Sequence, residues 1–396
     1  MLSNKTLKLF LIGSPIVFFS CNDQITDSTD EGTNPSVPEV IYPVNFRCLT
    51  LNHEGSGGDK PSISYIHNDG SVIADFFKQA NGSGCVPDPR SATQIKEKLL
   101  IPHSSYWPVQ SQQWTQNGVF MMDANTFVCE KDFNLGSDYM PYAVQDLGGD
   151  SVLVVGETKN DAPNMIVGYT SNTPDNFVKR TFNIDFPVNR VMRVGNKIIV
   201  AGNKKQSNGV YTYSKLGVLD IEDLNTGKVK VLLDKVNLSS RYSSVLKDKN
   251  QRIWIGNEAG SSYVLQCVDL NSGKLVHEVE MPFTMSNMNE LALTMDNRGE
   301  YIYLRNHKAF YMIAVDNPQT PDEPLYEYRA HVGSLNDLQM TKEGNLLFLN
   351  EVLTPFRPSE LIEIKPSVNQ PWEIVKITET GSVAKSIYVA KYEKNY

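Results

Sequence analysis

The sequence lacks the motifs of the common nucleotide, metal and redox proteins. Its 396 residues contain no Walker loop, no Gly-x-Gly-x-x-Gly after a strand, no His-Glu-x-x-His and no Cys-x-x-Cys pair. The signatures of P-loop NTPases, Rossmann dehydrogenases, zincins and zinc ribbons are therefore missing, and no cofactor or metal is predicted. Basic residues are also few: 37 Lys and Arg against 45 Asp and Glu give a formal net charge of −8. A chain of this sign is a poor nucleic-acid binder, because the phosphate backbone repels it.

What the composition does contain is typical of a folded β protein. Hydrophobic residues make up 40% and charged residues 21% of the chain, which excludes disorder, collagen and coiled coil. Aromatic residues reach 10%, with 18 Tyr and 16 Phe, and aromatic residues favour strands.

The first 20 residues have the pattern of a secretory signal peptide. Lys5 and Lys8 precede an apolar run over residues 9–19, which is too short for a finished transmembrane helix. The end of this run, Ser20-Cys21, resembles the lipobox of bacterial lipoproteins, although Phe18 stands where Leu or Val is usual. The resemblance implies cleavage before Cys21 and lipid attachment to it. The alternative is a plain signal peptide followed by a chance cysteine.

Residues 21–45 are rich in Asp, Ser, Thr and Pro and are predicted to be a flexible tether. The acidic residues at its start resemble the surface-export signal of Bacteroidota lipoproteins: Asp23, Asp27, Asp30 and Glu31. We therefore expect a lipid-anchored protein of the outer membrane, exposed at the cell surface. A tether facing the periplasm is the alternative. No later stretch of about 18 apolar residues follows, so the rest of the chain is expected to be soluble and anchored only by lipid.

Four further cysteines do not form a zinc pattern. Cys48, Cys85, Cys129 and Cys267 are separated by 37, 44 and 138 residues. In an exported protein they could form disulfides, and four cysteines allow three complete pairings that the sequence does not distinguish. Cys48 and Cys267 lie in β-like runs, which favours buried free thiols at these two positions.

Residues 46–396 contain a repeat. An apolar strand ends near Asp, a turn with Asn and Gly follows, and a second strand begins; Asp220 with Gly227 and Asp269 with Gly273 are clear copies. Intervals between successive copies are 56, 46, 51, 49, 47 and 48 residues. Seven copies of about 50 residues, each with several short strands, are typical of β-propeller blades. The equivalent positions are His67, Asp123, Tyr169, Asp220, Asp269, Asp316 and Ile364.

Hairpin signals recur within the copies, for example at 248–256 and 296–304, where a polar turn precedes a β-branched and aromatic run. The first copy lacks its inner strand, and residues 382–391 supply a spare one. The sequence thus predicts an all-β fold: a seven-bladed β-propeller with the C-terminal strand closing the first blade. Two stacked β-sandwich domains are the alternative.

Several segments resemble a known family. The chain is similar to YVTN-type seven-bladed propeller lipoproteins on the surface of Bacteroidota, specifically in its first blade and in two hairpins. It departs from that pattern by inserting His53. Some members of the family capture corrinoids such as cobalamin and pass them to a TonB-dependent transporter, so the resemblance implies surface capture of a ligand. The matching segments are residues 51–57, 62–65, 72–81, 220–228 and 269–274.

The binding site of a propeller is expected where the connections between the second and third strands meet those between blades. Aromatic rings there provide contact area at low entropic cost, and Arg and Gln provide directional hydrogen bonds, which suits a corrinoid or a glycan. For each aromatic residue the alternative role is to fill a blade interface, and Trp254 and Trp372 are assigned to the core. Ligand contacts are predicted for Trp107, Trp114, Tyr211, Tyr213, Arg241, His307 and Arg357.

Three functions remain open at this point. The first is a surface protein that binds a small molecule or glycan for a TonB-dependent transporter, without catalysis. The second is a protein-interaction propeller without a small ligand. The third is a propeller lyase or glycosidase, which needs a positioned general base; the six His are scattered among the copies, with His103, His307 and His331 as possible members of one site. A His beside a carboxylate next to an enclosed pocket would favour the third function.

Overall fold

The structure is a computed structural model. It describes residues 46–52, 61–81, 88–104, 117–158, 165–184, 186, 188–202, 204–205, 211–212, 214–226, 228–236, 245–259, 262–284, 291–329, 334–351, 358–381 and 383–389. The predicted signal peptide and tether lie outside these residues, and so does Cys21. Their assignment therefore stays a prediction.

Seven antiparallel sheets form the fold, each with at least four strands. Within a sheet the strand order follows the chain, and the first strands of neighbouring blades pack against one another around a central axis. The molecule is therefore a seven-bladed β-propeller, as the seven-copy repeat predicts.

Blades 1 and 2 are the least regular. Blade 1 takes its first strand from the C-terminus, and the first strand of blade 2 is broken into two pieces that both pair with its second strand. Blade 1 contains β1 (Phe46–Asn52), β2 (Ser62–His67), β3 (Val72–Ile73) and the C-terminal strand named below; blade 2 contains β4 (Asp88–Pro89), β5 (Thr93–Ile95), β6 (Lys98–Ser104), β7 (Gly118–Asp123) and β8 (Cys129–Asn134).

Blades 3 and 4 each have four long strands, and blade 4 also carries a small hairpin between its second and third strands. The strands of blade 3 are β9 (Tyr139–Gly148), β10 (Ser151–Thr158), β11 (Met165–Tyr169) and β12 (Val178–Phe182). Those of blade 4 are β13 (Arg190–Val194), β14 (Lys197–Ala201), the hairpin β15 (Lys204–Lys205) and β16 (Tyr211–Thr212), β17 (Ser214–Asp220) and β18 (Lys230–Val236).

Blades 5, 6 and 7 repeat the four-stranded pattern, and the last strand of the chain, β31 (Ala384–Tyr388), returns to blade 1. Blade 5 has β19 (Val245–Lys247), β20 (Arg252–Ala259), β21 (Ser262–Asp269) and β22 (Lys274–Thr284). Blade 6 has β23 (Leu291–Met295), β24 (Tyr301–Asn306), β25 (Ala309–Ala314) and β26 (Tyr326–Glu327). Blade 7 has β27 (Ser334–Met340), β28 (Leu346–Glu351), β29 (Glu360–Lys365) and β30 (Glu373–Glu379).

Helical structure among the described residues is limited to one six-residue α-helix, α1 (Phe76–Asn81), and two 3-10 helices, Pro174–Asn176 and Ile221–Thr226. The sequence analysis does not predict α1, because six residues are too few for a helical period to stand out. Its Phe76 and Phe77 are buried between blades 1 and 2. No helix in the described part of the chain is long and apolar enough to cross a membrane.

Apolar side chains fill every blade interface. The alternating residues of each strand point to the blade on either side, and they form seven clusters, one for each pair of neighbouring blades. The cluster between blades 7 and 1 includes Cys48, Ile66 and Leu349 together with Ile387 of the C-terminal strand. This contact shows that the ring is closed.

The closing strand is held by pairing and by polar bonds. β31 pairs antiparallel with β1, with Leu49 opposite Tyr388, which confirms the predicted closure. The carboxylate of Asp337 in β27 accepts hydrogen bonds from the backbone N–H groups of Ile387 (2.7 Å) and Leu338 (2.7 Å). Burial raises the pKa of Asp337, although these bonds act in the opposite direction. The seam between blades 7 and 1 thus combines a small apolar cluster with directional bonds.

The ring has two faces, which follow from the antiparallel order of the strands. Connections between the first and second strands and between the third and fourth strands end at one face, here named the turn face. Connections between the second and third strands and between successive blades end at the other, here named the loop face. First-to-second connections are two to five residues long in six blades, whereas second-to-third connections reach 13 residues in blade 2.

Candidate functional site

The second strand of most blades ends at the loop face with a polar residue after an apolar run. Examples are Asn52 at the end of β1, Glu157 near the end of β10 and the Asn350-Glu351 pair at the end of β28. Because the same strand position recurs around the ring, these side chains lie at corresponding places on one face. The loop face therefore has a repeated set of polar groups next to its longest connections.

In blade 2 this position is occupied by a histidine that pairs with a carboxylate. The Nε2 atom of His103 lies 2.9 Å from Oδ1 of Asp132, across the intervening strand β7. Gly118 of β7 is opposite His103 in the ladder and makes this contact possible: a Cβ atom there would lie 2.8 Å from Nε2 and 3.0 Å from Oδ1. The imidazole is buried (1% exposed), whereas the Asp132 side chain is 54% exposed.

The ring of His103 is also fixed by stacking. Its centroid lies 4.1 Å from that of Phe120, with an angle of 27° between the planes. Phe120 belongs to the apolar cluster between blades 1 and 2 and also contacts Phe77 of α1. The second ring nitrogen, Nδ1, is buried and has no hydrogen-bond partner.

Two asparagines at the loop face share this feature. In blade 7, the Asn350 side chain donates from Nδ2 to Oε2 of Glu360 (2.8 Å). In blade 1, the Asn52 side chain donates from Nδ2 to the hydroxyls of Ser62 and Ser64 (both 2.9 Å). The Oδ1 atoms of both asparagines are buried without a partner, and both residues are 0% exposed.

Other polar groups of the loop face are satisfied within the protein. The Arg90 guanidinium contacts Asp88 (2.9 Å) and donates to the hydroxyl of Ser104 (2.9 Å). The Tyr142 hydroxyl donates to Glu157 (2.9 Å). Such paired groups contribute to the packing of the face and leave few atoms available to a ligand.

Blade 7 contains another internally paired group. The Asn336 amide donates to Oε2 of Glu351 (2.8 Å), and the ammonium of Lys385 in β31 bonds the same carboxylate. Glu351 is therefore committed to the seam between blades 7 and 1, although its strand position is at the loop face.

Of the seven predicted ligand residues, two lie among the described residues. His307 lies in the turn between β24 and β25, at the loop face, and is half-buried. The backbone of Tyr211 is in β16, part of the second-to-third connection of blade 4. The other five lie outside the described residues, so the set as a whole stays a prediction: Trp107, Trp114, Tyr213, Arg241 and Arg357.

The structure assigns a structural role to one loop residue named in the sequence and adds two residues that it missed. Arg305 is fully buried and donates to the backbone carbonyls of His307 (3.0 Å) and Leu335 (2.9 Å), so it ties blade 6 to blade 7. Asn52 and Asn350 were missed. The recurrence of Asn at the end of an apolar run could have drawn attention to both, but their open Oδ1 atoms depend on partners that are distant in sequence.

Thiol and metal chemistry find no support in the described part of the chain. Cys48, Cys129 and Cys267 are free there, and burial raises the pKa of the Cys48 and Cys267 thiols to about 12. Both thiols are therefore protonated and unreactive at neutral pH, as predicted for buried free cysteines. Within the described ranges, no group of three or more His, Cys, Asp or Glu side chains could hold a metal ion. Cys85 lies outside those ranges.

Comparison with known proteins supports the fold and leaves the function open. The chain is similar to a "quinonprotein alcohol dehydrogenase-like protein" from Bacteroides thetaiotaomicron, with a TM-score of 0.62 and 12% identity over 86% of this chain and 78% of that one. It is also similar to a putative 6-phosphogluconolactonase from Bacteroides uniformis, with a TM-score of 0.56 and 10% identity over 87% and 100% of the two chains.

A protein from Lactobacillus plantarum gives a TM-score of 0.54 at 10% identity, over 88% of this chain and all of that one. At such low identities the likeness extends to the propeller architecture alone. No family model matches the sequence. No curated protein matches it either.

Proposed function

We propose that the chain is a cell-surface lipoprotein that binds a nutrient at the loop face and delivers it to a TonB-dependent transporter. The observation that carries the proposal is the asymmetry of the ring. Its long connections and its buried acceptor atoms without partners, Glu363 apart, occur at the loop face, while first-to-second connections at the turn face are tight turns of two to five residues. Binding residues concentrate on such connections when a rigid scaffold positions them.

The nature of the ligand rests on the resemblance described above and on the chemistry of the face. A corrinoid is one candidate and a neutral glycan is the other, because both are large and offer many polar groups to a ring of side chains. Neither requires chemistry from the protein. Binding without catalysis is therefore the simplest activity that this site supports.

The proposal is tested by isothermal titration calorimetry on the purified chain. Cobalamin, cobinamide and a set of neutral oligosaccharides (maltohexaose, mannohexaose and xylohexaose) are titrated separately. We expect one of the two classes to bind with a dissociation constant of about 1 μM or below. The absence of binding by both classes would contradict ligand capture, and retention of an outer-membrane transporter in a pull-down would then favour a protein-interaction propeller.

The membrane part of the proposal has its own test. Replacing Cys21 with Ser is expected to abolish incorporation of labelled fatty acid and to release the protein from the membrane fraction. Protease treatment of intact cells is expected to digest the wild-type protein, because it is exposed outside the outer membrane. Labelling of the Cys21→Ser variant, or protection of the wild type from protease, would contradict this part.

One observation favours a second candidate, hydrolysis of the bound ligand. His103 and Asp132 form a histidine–carboxylate pair at the loop face, which is the arrangement of a general base with its orienting group. Chromatography of the ligand after long incubation with the protein distinguishes the two candidates: capture leaves the ligand intact, and hydrolysis converts it.

A further inference from the structure

Three successive blades present the same anomaly at the loop face. Asn350 in blade 7, Asn52 in blade 1 and His103 in blade 2 lie at or next to the ends of their second strands, and each has one buried polar atom without a partner. Their strand neighbours place them at three adjacent interfaces: Phe348 packs between blades 6 and 7, Cys48 between 7 and 1, and Ile101 between 1 and 2.

The bonds of Asn350 determine which of its atoms is open. Its partner Glu360 is a carboxylate, which accepts hydrogen bonds and has none to donate when ionised. The amide nitrogen must therefore face Glu360, and the open atom is the carbonyl oxygen Oδ1. This site needs a donor from outside.

The same argument holds for Asn52 through a longer chain of bonds. The Ser64 hydroxyl gives its single proton to the backbone carbonyl of Ala74 (2.8 Å) and accepts from the N–H of Gly381 (3.2 Å). Toward Asn52 it can therefore only accept, which fixes the amide nitrogen on that side. The open atom of Asn52 is again an oxygen.

His103 becomes an acceptor through its carboxylate partner. Asp132 accepts from the imidazole, so Nε2 carries the proton in the neutral ring and Nδ1 has the lone pair. Stacking on Phe120 and the narrow space over Gly118 hold the ring in this orientation. The third open atom is thus also an acceptor.

Three open acceptors in a row are energetically unfavourable for a protein that leaves them dry. A buried polar group without a partner costs about 1–3 kcal/mol. The turn face shows that this fold can avoid the cost, since Asp248 in blade 5 is buried and accepts from Arg252 (2.7 Å) and Trp254 (2.9 Å). Such groups persist where a ligand or an ordered water completes them.

We propose that these three atoms accept hydrogen bonds from one donor-rich ligand at the loop-face side of blades 7, 1 and 2. The inference rests on the proposed function and specifies its chemistry. The ligand offers hydroxyl or primary amide donors and has no negative charge, because the open atoms are lone pairs and two of them are backed by the carboxylates of Glu360 and Asp132. Oligosaccharides supply such hydroxyls, and the amide side chains of corrinoids supply such N–H groups.

The test compares variants in the calorimetric titrations with cobinamide and the oligosaccharides. His103→Gln keeps an amide N–H for Asp132 but has no atom in place of Nδ1, so we expect an affinity at least about tenfold lower. Asn350→Leu removes the acceptor in blade 7 and is expected to give a similar loss. The matched control is Asn297→Leu on the turn face, where the amide donates to the carbonyl of Thr341, and its affinity is expected to equal that of the wild type.

A second readout does not depend on the folding of a variant. Nitrogen-15 NMR of the histidine rings reports which ring nitrogen of His103 is protonated. We expect Nε2 to be protonated and Nδ1 to have a free lone pair in the unliganded protein, and the Nδ1 resonance to shift when the ligand donates to it. Cobinamide and oligosaccharide titrations, followed separately, identify which source of donors is used.

The outcomes separate the inference from the proposed function. Wild-type binding that His103→Gln and Asn350→Leu leave unchanged, with an unmoved Nδ1 resonance, overturns the inference while ligand capture stands. In that case the three acceptors are completed by ordered water alone. The absence of wild-type binding to either probe overturns both.

Discussion

The two faces of the ring treat their polar groups in opposite ways. On the turn face, short polar side chains accept the backbone N–H groups of their own turns, as Asp269 does with Ser272 (2.7 Å). On the loop face, three buried acceptors at equivalent strand positions stay open. Glu363 also has one open oxygen near the turn face, but its other oxygen holds both Arg47 and Asn345. The turn-face residues that cap turns in this way are Asp69, Asp123, Asp248, Asp269, Asp296 and Thr341.

This difference separates stability from function in one fold. Local bonding, turn chemistry and packing agree on the turn face, as they do wherever a sequence specifies a structure strongly. On the loop face they disagree at Asn52, Asn350 and His103, and such local disagreements are expected at functional sites. Substitutions on the two faces should therefore change different properties of the protein.

The largest loss of stability is expected on the turn face, at Asp248. Its buried carboxylate accepts from Arg252 (2.7 Å) and from the indole of Trp254 (2.9 Å). Asp248→Ala leaves the guanidinium and the indole without this partner, and we expect the free energy of unfolding to fall by about 3–5 kcal/mol. Urea denaturation measures it, with the exposed Asp269→Ala as control. A loss below about 1 kcal/mol would remove the contrast between the faces.

Gly118→Ala is expected to have a smaller effect on stability and to change the loop face as well. The added Cβ would lie 2.5 Å from the backbone oxygen of Phe133 and 2.8 Å from His103 Nε2. We expect a destabilisation of about 1–3 kcal/mol and separation of His103 from Asp132. Thermal unfolding and histidine NMR check the two effects. Gly136→Ala is the control, since nothing lies within 4 Å of its added Cβ and its cost comes from backbone strain alone. An unchanged His103 resonance would show that strand β7 does not gate the pair.

Asn350→Leu is expected to change binding and leave stability nearly the same. The substitution removes a buried acceptor that has no partner, while the half-buried Glu360 can be hydrated, so we expect the free energy of unfolding to change by less than about 1 kcal/mol. Ligand affinity is expected to fall about tenfold. A large destabilisation with normal affinity would reverse the assignment of the two faces.

The smallest effect is a pH dependence at the turn face. The backbone N–H and hydroxyl of Ser272 hold the pKa of Asp269 below its usual value. The ionised carboxylate therefore stabilises the fold above about pH 4, and this contribution disappears as the pH falls through the lowered pKa. Asp269→Asn should have a slightly lower melting temperature than the wild type at pH 7 and the same one near pH 2. A difference that persists in acid would exclude ionisation as its cause.

Most of the fold could be predicted from the sequence because the repeat is local. The turns after Asp220 and Asp269 and the hairpins at 248–256 and 296–304 each determine a strand pair from adjacent residues, and the missing inner strand of blade 1 pointed to the C-terminus. Trp254 and Trp372 are in the core, as predicted. The broken first strand of blade 2 was not predicted, because β4 and β5 are two and three residues long.

The candidate site could be predicted in location but not in its atoms. His307 and Tyr211 were placed on the loop face from the order of connections, and both belong to such connections. The open acceptors were missed because they depend on contacts between residues far apart in sequence, such as His103 with Asp132 across Gly118. A pattern of residue types does not show which lone pair is left without a donor.

The central claim is that the loop face binds the ligand through its open acceptors. NMR of the side-chain amides and histidine rings, recorded while cobinamide or an oligosaccharide is added, tests it directly. We expect the resonances of Asn52, Asn350 and His103 to shift, while those of Asn250 and Asn345, whose amides donate to Asp316 and Glu363 on the turn face, stay unchanged. Shifts confined to the turn face, or equal shifts on both faces, would contradict the account.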